Sequence, residues 1–93
     1  MSFNQLTDAE AERLALLLEE MGEAIQIIGK IQRHGYESFN PNTGPPDNRA
    51  LLEKELGDVF HAVERMIWAD DLDEDEIGRH QKEKPGRWRK GKS

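Results

Sequence analysis

Glu19-Glu20-Met21-Gly22-Glu23 places three carboxylates inside a stretch that otherwise reads as an apolar helix, and Glu55-Leu56-Gly57-Asp58 does the same in a second one. Each contains two acids three residues apart, Glu20/Glu23 and Glu55/Asp58, and side chains at i and i+3 emerge on one face of a helix. Two helices therefore offer four acids to one anionic pocket. Such a pocket persists only with positive charge in it, and its usual occupant is a hard divalent cation.

Working outward from the first stretch, Thr7-Asp8-Ala9-Glu10 has the residues of a capping box, with acids that suit the first turn. The helix it opens is expected to run from about Asp8 to Arg33 and to stop at Gly35. Its main apolar stripe is Leu14, Leu17, Leu18, Met21, Ile25 and Ile28; a second stripe joins Leu16, Glu20, Glu23 and Ile27. Two stripes imply a helix packed on two sides. Gly22 and Gly29 each cost about 1 kcal/mol relative to Ala in a helix interior, so a close helix crossing, or space beside the acids, is expected there.

Residues 34–48 carry three prolines and two glycines and read as a long loop, with Phe39 expected to pin it to the core and Tyr36 left open. Asp47 or Asn48 can cap the second helix, which runs to about Asp70. Its core stripe is Leu52, Leu56, Val59, Val63, Met66 and Ile67, with Phe60 at the edge, flanked by Leu51, Glu55, Asp58 and Ala62. The acids thus border apolar surface on both helices, and ordinary surface charge rarely takes that place. Asp73-Glu74-Asp75-Glu76 opens a short third helix that ends before Pro85. The fold class is all-α: a bundle of two long helices and a short C-terminal helix, completed by oligomerisation. A helical domain over 1–84 precedes a basic tail over 85–93.

Composition agrees with a small helical domain that finishes its core by self-association, with 35% hydrophobic and 34% charged residues among 93. There is no cysteine, which excludes disulfides and thiolate metal sites. No apolar run reaches membrane-spanning length and no signal pattern opens the chain, so a cytoplasmic protein without a membrane partner is expected. The net charge of −6 is unevenly distributed: residues 1–78 hold 6 Lys/Arg against 18 Asp/Glu, whereas residues 79–93 hold 7 against one. An acidic body with a basic tail suits a metal and a polyphosphate bound together. One aromatic, Trp88, in that tail is weak evidence for nucleic acid, which is not an expected partner.

Oxygen ligands without a matched histidine set point to Mg²⁺, with Mn²⁺ possible, rather than zinc or copper. The single Asp58-x-x-His61 spacing does not supply the paired Glu-x-x-His of a di-iron bundle. Glu20, Glu23, Glu55 and Asp58 are the candidate metal ligands and catalytic residues, and Glu19 points about 100° away from Glu20. Phosphoanhydride hydrolysis also needs cations on the developing charge. Lys30, two turns beyond Glu23, is the first candidate; Arg49, Lys54, Lys82, Lys84 and Arg87 follow.

Glu19-Glu20-x-x-Glu23 followed by Glu55-x-x-Asp58 resembles the E-E-x-x-E … E-x-x-D signature of MazG-like nucleotide pyrophosphohydrolases, in the all-α NTP pyrophosphatase superfamily. The likeness covers roughly residues 14–68, and the stretches from Lys30 to Ser38 and from Asn48 to Val59 are similar to short phage-type members. It implies a helical homodimer or homotetramer that hydrolyses a nucleoside triphosphate to monophosphate and pyrophosphate with Mg²⁺. Glu20, Glu23, Glu55 and Asp58 would hold the metal, and Lys82, Lys84 or Arg87 would meet phosphates. The spacer over 24–54 exceeds the family's usual interval, and the proline-rich loop supplies the excess. A different class of function stays open beside this one: a non-catalytic helical oligomer that binds nucleotide, nucleic acid or a protein partner through its basic tail. A third reading is a bare structural metal site.

Overall fold

The computed structural model describes residues 3–84, and over these the chain is all-α, with three helices and no strand among the described residues. Helix α1 spans Asp8–His34, α2 spans Asn48–Trp68 and α3 spans Glu74–Glu83. The basic tail, with Arg87 and Trp88, lies outside the described residues.

Local chemistry sets the helix ends. The Thr7 hydroxyl accepts from the Glu10 N–H at 3.1 Å, and the Glu10 carboxylate accepts from the Thr7 N–H at 2.8 Å, completing the capping box. At the other end Gly35 takes φ 90°, which an L side chain rarely adopts, and its N–H donates to the Ile31 carbonyl at 2.7 Å. Asp47, rather than Asn48, caps α2 by accepting from the Ala50 N–H at 3.0 Å. Asp73 caps α3 by accepting from the amides of Asp75 and Glu76.

Helix α2 ends in a turn that the sequence does not advertise. Asp70 stands at φ 63°, its N–H donates to the Ile67 carbonyl at 3.0 Å, and the Asp71 N–H reaches back to Met66 at 2.9 Å. This is a Schellman arrangement with Asp where Gly is usual. It carries Asp71 to Arg13, whose guanidinium donates twice to the carboxylate, at 2.6 and 3.0 Å. That contact joins the start of α1 to the end of α2, so the two helices run antiparallel. Their packing is the one extensive helix–helix contact among the described residues.

The two stripes change roles. The small buried core consists of Ala24, Ile27, Ala62 and Met66, with Leu16, Leu17, Ile31, Leu51, Val59 and Val63 half-buried around it. The α1–α2 interface is therefore the stripe that holds the acids. Of the expected main stripe of α1, Leu17 alone is half-buried; Leu14, Leu18, Met21, Ile25 and Ile28 are exposed. On α2, Leu56 and Phe60 are exposed as well. Two helices share one interface, and Ala24 and Ala62 let the backbones approach on the acidic side, leaving most of the bulkier α1 stripe, with Leu56 and Phe60 of α2, outside. Nor do the glycines mark a crossing within the described residues. A Cβ at Gly22 would meet nothing within 4 Å, and one at Gly29 would only touch the Arg33 guanidinium at 3.5 Å.

Candidate metal centre

Glu20 and Glu23 lie one turn apart on the face of α1 that meets α2, and Glu55 projects from α2 opposite them. One carboxylate oxygen from each of the three comes within 4.8 Å of the others, a span that the ligands of one cation occupy. All three side chains are half-buried. Glu20 Oε2 and Glu55 Oε2 are removed from solvent and have no hydrogen-bond partner. A buried carboxylate oxygen without a donor is costly, and two within one cluster are more so. A bound hard cation would resolve both.

Asp58, the fourth expected ligand, shares this side of α2 but stands outside the close triad. Lys54 holds it at 2.8 Å, one helical turn away, and lies 3.6 Å from Glu55 Oε1. These charges show in the proton affinities. Burial raises the Glu20 carboxyl above its ordinary value, and the charges of Asp58, Glu55 and Glu19 add to this while Lys54 opposes. Glu23 is raised by a hydrogen bond and charge interaction with Glu55, then by burial. The Lys54 ammonium is raised by its hydrogen bond to Asp58 and by the Asp58 and Glu55 charges. Glu19 is exposed and acts on the pair through charge alone. The triad includes no histidine, which keeps the donor set one of oxygens suited to Mg²⁺ or Mn²⁺.

Of the candidate cations, the structure brings Lys54 to the acids and turns the others elsewhere. Lys30 lines a separate cavity beside the 35–47 loop. Arg49 lies over the Tyr36 ring, 4.8 Å from its centroid, and 3.9 Å from the Glu37 carboxylate. Lys82 sits in the last turn of α3 and Lys84 at its C-cap, both exposed and neither ion-paired with the triad. Arg87 lies outside the described residues. Phe39 is also unlike its expectation: nearly half its surface is exposed, at 46%, and the loop is fastened instead by Asn48. The buried Asn48 donates its amide to the Gly35 carbonyl at 3.1 Å, while the backbone N–H groups of Asn48 and Arg49 bind Ser38 and Tyr36. Arg33 and His34 on the loop cavity, beside Phe39, escaped the sequence reading, although Lys30, Arg33 and His34 share one helix face by spacing.

No family model matches the chain, and no curated protein or solved structure matches it. Among the described residues no helix is long and apolar enough to cross a membrane.

Proposed function

We propose that this protein is a Mg²⁺-dependent nucleoside triphosphate pyrophosphohydrolase, converting an NTP or dNTP to its monophosphate and pyrophosphate, with Mn²⁺ able to replace Mg²⁺. The observation that carries this reading is the pair of buried, unpartnered oxygens on Glu20 and Glu55, within a three-carboxylate cluster drawn from two helices. The E-E-x-x-E … E-x-x-D pattern supports it from the sequence.

Glu20, Glu23 and Glu55 would hold the ion, with Asp58 completing the set from the rim. Bound there, Mg²⁺ would neutralise phosphate oxygens and make water a stronger nucleophile. The chain's own residues supply the rest. The carboxylates fix the position of the charge, and α1 and α2 bury the inner oxygens so that water does not compete for them. Lys54 balances Asp58 and Glu55 and offers an ammonium at the rim, where a polyphosphate would enter. In the reaction a water oxygen bonds to the α-phosphorus, the bond from the α-phosphorus to the bridging oxygen breaks, and that oxygen leaves as part of pyrophosphate while the water's proton is released to solvent.

A homo-oligomer belongs to this reading. Leu14, Leu18, Met21, Ile25 and Ile28 follow a 4-3-4-3 spacing, as do Leu56, Phe60, Val63 and Ile67 in 4-3-4, which is the seam that one helix offers another. The exposed Leu14, Leu18, Met21, Ile25 and Ile28 of α1, with Leu56 and Phe60 of α2, support a second copy as the cover.

The test is product analysis from a panel of NTPs and dNTPs with Mg²⁺ or with EDTA. Monophosphate and pyrophosphate are expected with Mg²⁺ alone, and Glu55→Gln or Asp58→Asn should abolish them. No turnover across the panel by folded, metal-loaded protein would overturn the assignment.

A further inference from the structure

The last turn of α1, the 35–47 loop and the start of α2 enclose a cavity of about 540 Å³, within the range of small-molecule sites. Lys30, Arg33 and His34 line one wall, Phe39 another, and Asn48 and Leu51 come from α2. Three features distinguish it from an incidental gap. Lys30 and Arg33 form no ion pair with any described residue, in a body whose described residues carry 9 Lys/Arg against 19 Asp/Glu. Phe39, which lines the cavity from the loop, keeps nearly half of its surface exposed. Asn48, buried and tied to Gly35, gives the cavity a polar group in a fixed place.

The cavity also continues the line of the carboxylates. Lys30 follows Glu23 by seven residues and Leu51 precedes Glu55 by four, so it lies about 6–10 Å farther along the same pair of helices. Two cations beside an exposed aromatic ring match a ligand that is anionic at one end and planar at the other.

We infer that this cavity binds the nucleoside monophosphate portion of a nucleotide, with the base against Phe39 and phosphoryl oxygens on Lys30 and Arg33. This deepens the proposed function, and rests on it for the identity of the ligand, but its test does not require turnover.

Calorimetric titration of the full chain in EDTA, with the ribonucleoside monophosphates and with inorganic phosphate, isolates the cavity from any metal-dependent binding. At least one monophosphate should bind saturably and more tightly than phosphate. Lys30→Ala and Arg33→Ala should each weaken it by about tenfold, and Lys30→Arg should restore most of the loss. Phe39→Leu should weaken the monophosphate and leave phosphate unchanged, with helical circular dichroism confirming that every variant folds. Absence of saturable binding, or wild-type affinity in both cation variants, would overturn the inference. Binding without Mg²⁺-dependent turnover would leave the cavity standing and remove the hydrolase; turnover without binding in EDTA would do the reverse.

Discussion

Ile25→Asp is the sharpest perturbation of the exposed seam. Ile25 keeps 67% of its surface exposed, Leu18 73% and Phe60 65%, so most of the burial open to these side chains is unused within one chain. Burying such a residue completely is worth roughly 1.5–3 kcal/mol, which leaves about 1–2 kcal/mol per residue for a partner to supply. In a two-fold dimer the substitution acts twice, removing about 2–4 kcal/mol before the cost of desolvating two carboxylates. That corresponds to a roughly 30- to 1,000-fold weaker dissociation constant. Sedimentation velocity over a range of concentrations reads this directly. The wild-type chain should sediment above its 10.7 kDa monomer mass and Ile25→Asp should sediment as the monomer. A wild-type monomer at every concentration, or an unchanged assembly in the variant, would refute the seam as an interface.

Other consequences follow from the ends of the helix pair and from the acids. Glu20 and Glu23 have raised proton affinities in the folded chain, so their contribution to stability is fully present below the ordinary carboxylate pKa and is lost as pH rises through their folded values. In EDTA, Glu20→Gln should therefore flatten the fall in melting temperature over that window; an unchanged profile would contradict the assigned strain. Asp71 has the opposite sign, held below its ordinary value by its hydrogen bonds to Arg13, so its contribution is present above the unfolded pKa and lost as pH falls through the folded one. Asp71→Asn should lower the melting temperature at neutral pH and shrink the loss on acidification, read by circular dichroism. Asp70→Gly should stabilise the fold by up to about 1 kcal/mol in urea denaturation, because it relieves a left-handed backbone, and destabilisation would contradict that account.

What the sequence made legible was chiefly local. Thr7 with Glu10, Asp47 and Asp73 act within one turn of themselves, so their residue types announce the helix starts without reference to anything distant. The carboxylate cluster was legible for a related reason: i, i+3 acids beside apolar residues must share a face, and two such pairs can meet across an antiparallel crossing. The choice of packed face was not. Periodicity shows that α1 has two faces to cover, but which one meets α2 depends on how closely Ala24 and Ala62 allow the backbones to approach. Distance along the chain hid Arg13 and Asp71, 58 residues apart, and the left-handed turn that brings them together has Asp70 where a glycine would have signalled it. Helical spacing favours Lys30, which lies near Glu23 on its own helix, whereas it is Lys54 that reaches both Asp58 and Glu55 from within α2.

Mn²⁺ titration followed by electron paramagnetic resonance measures occupation of the carboxylate site without reliance on turnover. The wild-type chain should quench the free-ion signal saturably, Mg²⁺ should restore it by competition, and both Glu20→Gln and Glu55→Gln should abolish tight binding. A wild-type chain that leaves the free Mn²⁺ signal unchanged, or either variant binding as tightly as wild type, would contradict the assignment of Glu20, Glu23 and Glu55 as a cation site.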